Sequence, residues 1–432
     1  MTESERIKMN NNPDTPSLGD RSVAGNLDFP RSGRRFAAHV LGIALAALVG
    51  PATVREGRAD DPPESIGMAA SKPAEGPYVE TPRGFMVPYT MSIPGTKATF
   101  EMVPIPGGVF KMGSPADEEG REANEGPTFD VRVEPFWMGK YEITWSEYKE
   151  YMRLYRIFKQ FKSKSIRPVT DANRNLAITA PTELYDPSFT FEKGEDPRQP
   201  AVTMTQYAAK QYTKWLSAVT RHQYRLPRES EWEYACRAGG STPFSFGDDP
   251  SQLGEYAWYF ENSDETTHPV GGKKANAWGL HDMHGNVAEW TVDQMLEDGY
   301  QRFGGKKSPL SADDAVVWPT TLFPRVARGG HWDDMAEGCR SAARLGSNDP
   351  DWKDEDPNIP LSPWWFTSDP ARGVGFRIVR SLETMSDERI RKYWEPDTED
   401  ILADVDARLL EGRGVVGIVD PDLPAAARQL DK

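Results

Sequence analysis

The stretch ANAWGLHDMHGNVAEWTVD (275–293) decides how this chain is read. It is dense in Gly, Asn and Trp and sustains neither the 3.6-residue period of a helix nor a long alternation of the strand type. The chain keeps this character, Gly-, Trp- and Asp-rich with short periodic runs, to about residue 380. That pattern predicts an α+β fold with low regular secondary structure. Within the stretch, Asp282 and Glu289 are hard oxygen donors, and they flank Gly285 and Val287, whose carbonyls can complete the shell of a calcium ion. The alternative is a solvated turn that Gly285 and Asn286 merely shape.

Upstream the signals are more regular. FEMVPIPGGVFKMGS (100–114) alternates apolar residues about Pro106-Gly107-Gly108 and predicts a hairpin. FWMGKYEITWSEYKEYM (136–152) predicts a strand running into a helix, with Thr144 as N-cap and Glu147 three residues on in a capping box. Helices are also predicted over 205–220 and from Pro227 through 239. Downstream, NDPDWKDEDPNIPLSPWWFTSDPARG (348–373) concentrates Pro, Trp and Asp. Its Trp364 and Trp365 suit either a peptide- or glycan-binding face or a lid of core aromatics pinned by prolines. In SDERIRKYW (386–394) Ser386 caps a helix that Pro396 stops. TEDILADVDARLLEG (398–412) spaces Ile401, Leu402, Val405 and Leu409 helically, and VVGIVD (415–420) resembles a strand.

The chain has 432 residues, 51 Lys+Arg and 66 Asp+Glu, a formal net charge of −15. No basic excess exists to release phosphate counterions, so nucleic acid is excluded as a general partner. The first 35 residues are polar and end in the pair Arg34-Arg35; the apolar run 36–50 follows, then a small-residue exit at Ala59. Residues 1–59 are therefore expected to be a signal peptide or an N-terminal membrane anchor, since the run falls short of the about 20 residues that span a bilayer. This implies an exported, periplasmic or extracellular protein, or one anchored through residues 36–50. A Pro-, Glu- and Ser-rich linker is expected over 60–96, the body over 97–382 and a packed C-terminal helical extension over 383–432.

Eight segments occur in the body in one order: PIPGGVFKMGS, YEITWSEY, AVTMTQYAAKQYTKWLS, YRLPRESEWEYACRAG, ANAWGLHDMHGNVAEWTVD, RVARGGHWDD, CRSAAR and GVGFRIVR. Together they resemble the formylglycine-generating enzyme, or sulfatase-modifying factor, family. The resemblance implies a calcium-stabilised fold related to C-type lectins and, in active members, oxygen-dependent oxidation of a sulfatase cysteine to formylglycine. It places one calcium on Asp282, Gly285, Val287 and Glu289, and a second on Asn262 and Asp264. Sulfatases or other exported polypeptides are the implied partners.

The catalytic loop departs from the family. Active members hold Cu(I) with a pair of closely spaced cysteines after an RGGS-like turn. Here RVARGGHWDDMAEGCRSAAR (325–344) has His331 for the serine, Asp334 at the first cysteine position and Cys339 near the second, and Ala288 replaces an aromatic residue. A carboxylate cannot replace a soft thiolate for Cu(I). If the chain is catalytic, Cys339, His331 and Asp334 are the candidates, and copper is a cofactor only then. Counted from SAAR instead, Cys339 matches a family cysteine bridged to the position of Cys236, which implies a disulfide; a lone reactive thiolate and two inert thiols are the alternatives. His281, His284 and His331, with Asp333 or Asp334, make an iron site a further alternative. Arg325, Arg328, Arg340 and Arg344 are expected to pair with acidic loops. Two functions stay open: a divergent family enzyme acting on or beside sulfatases in their maturation, and a non-catalytic, calcium-stabilised binding module for peptide or glycan.

Overall fold

Short strands gathered into several small sheets, with helices packed between and around them, carry the body. The computed structural model describes residues 66–430 other than Tyr185, and the backbone of strand Arg55–Gly57. The apolar run 36–50 and Ala59 lie outside the described residues. No described helix is long and apolar enough to cross a membrane.

The largest sheet runs Arg55–Gly57, Tyr89–Ser92, Thr99–Ile105, Phe136–Gly139, Val379–Ser381. A four-stranded sheet joins four of the motif segments. Its strand Ala288–Gln294 pairs antiparallel with Arg325–Arg328, placing Glu289 opposite Arg328, and parallel with Val374–Gly375. Another sheet holds Gly108–Met112 against Phe129–Val133. The α+β expectation with little regular structure therefore holds.

Two expectations are corrected. Pro106-Gly107 does not close a hairpin: the strand before it pairs with Phe136–Gly139 and the strand after it with Phe129–Val133, so the turn switches sheets. Residues 66–93 are no linker. Met68–Ala69, Val79–Thr81 and Gly84–Met86 form a small sheet, and Ile66, Met86, Tyr89, Met91 and Ile93 are buried in the main core. Pro, Glu and Ser colour the composition, but these few apolar residues are the ones that face the core.

Local signals place the helices well. Thr205 caps helix Gln206–Thr220 by accepting from the Ala208 N–H, and Ser386 caps Asp387–Trp394 by accepting from Arg389. The C-terminal residues pack on the body as expected. Ile401 and Val405 are buried while Leu402 is exposed, and Val415–Ile418 pairs with Ala177–Ala180.

The capping box of helix Trp145–Met152 is complete, with the Glu147 carboxylate accepting from the Thr144 backbone N–H. Burial raises the Glu147 carboxyl from its ordinary 4.5 to about 7, against the lowering effect of its Thr144 bonds. The folded state thus binds this proton more tightly. The resulting stability is full below pH 4.5 and is lost as the pH rises through 7, by about 3 kcal/mol. Urea melts of the wild type and Glu147→Gln should show that difference between pH 4.5 and 7; parallel pH profiles would contradict it.

Candidate functional site

The motif strands and the helix Glu229–Arg237 meet in a buried ionic layer. Glu229, Glu231 and Glu233 alternate along the first turns of that helix, all buried. Glu231 bridges Arg225 and Arg228, each at 2.7 Å; Glu229 takes Arg344 at 2.6 Å; Glu233 takes Arg237 at 2.9 Å and also Arg328. Arg340 binds Glu118 and Glu125, each at 2.5 Å, and Arg325 binds Asp397 at 2.8 Å. The four arginines of 325–344 are thus structural ion-pair partners, as expected. Arginine suits this work because its rigid fork serves carboxylates and carbonyls together.

The loop after strand Arg325–Arg328 begins at two glycines in the left-handed region, Gly329 at φ +102° and Gly330 at φ +68°. A Cβ on Gly330 would stand 2.8 Å from the Cys339 Sγ, so this glycine admits the thiol beneath the turn. Asp334 closes the turn by accepting the His331 backbone N–H at 2.9 Å. The His331 ring accepts the Asp333 backbone N–H at Nδ1, 3.1 Å, with Nε2 3.5 Å from Asp334. His331, Asp334 and Cys339 are therefore brought together, but as a folded turn over a buried sulfur.

Cys339 is fully buried, and burial first, then the charges of Asp334 and Glu337, pushes its thiol well above the ordinary range. This corrects the reactive-thiolate alternative, because a catalytic cysteine needs a stabilised, accessible thiolate. The expected Cys236–Cys339 disulfide is also corrected: both residues are free thiols. Cys236 packs in the cluster with Trp232 and Met283, Cys339 in another with Phe244 and Tyr259. The His284 ring lies 3.8 Å from the Cys236 sulfur while its Nδ1–H donates to the Cys339 carbonyl at 2.8 Å. Burial also lifts the Cys236 thiol to about 12. Alkylation without reductant should therefore leave the native protein unmodified and add two groups after unfolding. An unfolded protein that takes up none would restore the disulfide.

Copper does not fit this loop. One thiol is present where two are needed, it is sealed under Gly330, and the neighbouring position is a carboxylate already bonded within its turn. The three histidines do not converge either. His281 binds the Lys273 carbonyl at 2.9 Å and packs on Tyr141, and His284 faces the Cys339 carbonyl and Ser245. Among the described residues no cluster of three His, Cys, Asp or Glu is arranged to hold a metal.

The calcium expectation divides by residue. Glu289 is engaged on both oxygens, by a bidentate Arg377 at 2.5 Å and by the Trp232 indole at 2.7 Å. It is thus an ion-pair partner, which corrects its reading as a ligand. Asn262 likewise spends its amide on its own turn, accepting from Tyr259 and donating to Ala257, each at 3.0 Å, and Asp264 is an exposed turn residue at φ +53°. Asp282 differs. One of its oxygens accepts from Gly271 at 2.7 Å, and the other, Oδ1, is buried without a partner. Burial raises its carboxyl to about 6. Asp282, with the Gly285 and Val287 carbonyls close by in sequence, is the part of the expected set that fits a hard cation.

Sequence reasoning missed Glu142. It is buried and accepts from the Asn286 side chain at 2.7 Å and the Val287 N–H at 3.1 Å, tying YEITW to HGNV. Burial, then Asp282 and Glu289, raises its carboxyl well above the usual range. Its position within one of the eight segments was the available signal. Also missed were Phe260 and Met335, 55% and 52% exposed, on adjoining segments joined by the bond from the Phe260 N–H to the Asp334 carbonyl. Trp364 and Trp365 are corrected as a binding face: both are buried, their indoles donating to Thr179 and the Thr182 carbonyl. They are the core lid of the alternative reading.

Known proteins share this sequence layout. The chain is 29% identical to the inactive C-alpha-formylglycine-generating enzyme 2 of Bos taurus, across 60% of this chain and 86% of that protein. It is 27% identical to the formylglycine-generating enzyme of Mus musculus, across 67% of this chain and 81% of that one. The solved structure of PvdO from Pseudomonas aeruginosa aligns at 30% identity over 67% of this chain and 98% of its own, with a TM-score of 0.47. The model of the sulfatase-modifying factor enzyme 1-like domain matches residues 91–356, which include most of the ionic layer and the glycine turn. The chain therefore belongs to the formylglycine-generating enzyme, or sulfatase-modifying factor, family.

Proposed function

We propose that this chain is a polypeptide-binding member of its family that does not carry out copper-thiolate oxidation, and that it works on or beside exported sulfatases or similar exported polypeptides. The observation that carries this reading is the loop itself, with Cys339 sealed under Gly330 and Asp334 locked in its turn. The similarity to a relative named inactive supports it. Phe260 and Met335 supply the exposed apolar contact beside that loop. Burial of Trp364 and Trp365 argues against a glycan platform there.

A Cys-x-Pro-x-Arg peptide should bind saturably, and the double substitution Phe260→Ala, Met335→Ala should weaken it about tenfold or more. Affinity untouched by the double substitution would move the site elsewhere, and no binding at all would remove the reading.

Calcium at Asp282 belongs to the same proposal, supported by the unpartnered Oδ1. A cation bound only to the native state adds about 2.7 kcal/mol at a hundredfold excess over Kd. Calcium should raise the wild-type melting temperature and leave Asp282→Ala unchanged. A wild type indifferent to both calcium and chelator would end this part.

A further inference from the structure

Residues 151–170, YMRLYRIFKQFKSKSIRPVT, hold six Lys and Arg and no carboxylate, in a chain whose acidic residues outnumber its basic ones 66 to 51. Half of the stretch is helix Leu154–Ser163. Leu154, Phe158 and Phe161 are buried in the core, while Arg153, Arg156, Lys159, Lys162 and Lys164 are exposed. The helix closes through Ser165, in the left-handed region at φ +55°, with the Ile166 N–H donating to the Phe161 carbonyl at 2.8 Å. That closure fixes Lys164 and Ile166 beside the last turn.

The carboxylates that reach this face are already taken. Glu150 pairs with Arg153 at 2.6 Å, Glu183 with Arg156 at 3.1 Å and Asp420 with Arg167 at 2.6 Å. Lys159 donates to the Tyr155 hydroxyl, and Lys159, Lys162 and Lys164 make no ion pair among the described residues. Apolar side chains stand beside these cations. Lys162 and Ile166 line one groove with Leu409; Ile166 is 36% exposed, and Leu410, next to Leu409, is 88% exposed.

We infer that this face docks on an anionic phospholipid bilayer, with Lys159, Lys162 and Lys164 among the headgroups and Ile166 and Leu410 at the acyl boundary. Charge complementarity selects the partner. The net charge of −15 repels the rest of the molecule from such a surface, so the basic face is the one that approaches. A soluble polyanion would satisfy the lysines and leave the two aliphatic side chains in water, whereas a bilayer takes both.

Co-sedimentation of the full chain with vesicles tests the assignment. Two compositions are compared, phosphatidylcholine alone and phosphatidylcholine with phosphatidylglycerol in equal parts. Binding should require the phosphatidylglycerol and fall as salt rises. Each lysine at such a surface is worth about fivefold, so Lys159→Gln, Lys162→Gln and Lys164→Gln together should weaken binding roughly 100-fold. Lys97→Gln, Lys306→Gln and Lys307→Gln, at exposed lysines elsewhere, change the net charge equally and should bind as wild type. Ile166→Ser with Leu410→Ser should cost about tenfold. Thermal melts establish that each variant is folded. No binding, binding indifferent to phosphatidylglycerol, or two lysine triples that weaken it equally would overturn the face. So would heparin held as tightly as the vesicles, with the serine pair binding both normally, which would make it a site for soluble polyanions.

Discussion

Arg328→Met should destabilise the protein by about 3–5 kcal/mol, among the largest effects available to one substitution. Arg328 is fully buried and pairs with Glu233, itself fully buried, while also donating to the carbonyls of Ala342 and Ala343. Methionine fills similar space, so lost packing is small. What remains is the Glu233 carboxylate with only Arg237 and the Gly113 N–H to satisfy it, and two carbonyls without that donor. Those carbonyls belong to the segment that returns from the Cys339 loop. The loop should therefore loosen along with the overall loss, making Cys339 alkylate in the native variant. A melt within about 1 kcal/mol of wild type would show that the ionic layer is dispensable.

Glu289→Ala should cost a similar amount, about 3–5 kcal/mol, and the cost should be the same with calcium or with chelator. Its carboxylate is enclosed by Arg377 and the Trp232 indole, so its removal leaves a fully buried guanidinium without its anion. This separates Glu289 from Asp282, whose replacement removes only the calcium-dependent increment. If the Glu289→Ala loss shrank on chelation, Glu289 would be a metal ligand and the ion-pair reading would be wrong.

What the sequence discloses, and what it hides, follows from the range of the interactions. Thr144 with Glu147, and Ser386, announce helix starts because a cap is completed within three residues. The eight family segments are legible for a related reason: each keeps its glycines and aromatics in fixed local spacing. Strand pairing is different. Nothing near Pro106-Gly107 shows that its two flanking strands join separate sheets, since the partners lie at 136–139 and 129–133. The stretch 66–93 reads as a linker because five buried apolar residues are diluted among prolines and charges.

The site shows the same division. Asp334 and the lone Cys339 can be read against the family's cysteine pair, and that departure is visible in the chain alone. The bridge to Cys236 is not decidable from counting, because it depends on where His284 and the two core clusters stand. Glu289 invites a calcium assignment by residue type, while its real partners, Arg377 and Trp232, are 88 and 57 positions away. Trp364 and Trp365 are ambiguous for the same reason, with Thr179 and Thr182 more than 180 positions upstream.

The proposed non-oxidising role depends on the inability of this loop to hold copper between two thiolates. Incubating the purified protein with a Cys-x-Pro-x-Arg peptide, Cu(I) and oxygen, and weighing the peptide by mass spectrometry, tests that inability directly. The expected result is a peptide of unchanged mass, for the wild type and for Cys339→Ser alike. Robust, copper-dependent conversion of the peptide cysteine to the aldehyde, lost in Cys339→Ser, would contradict it.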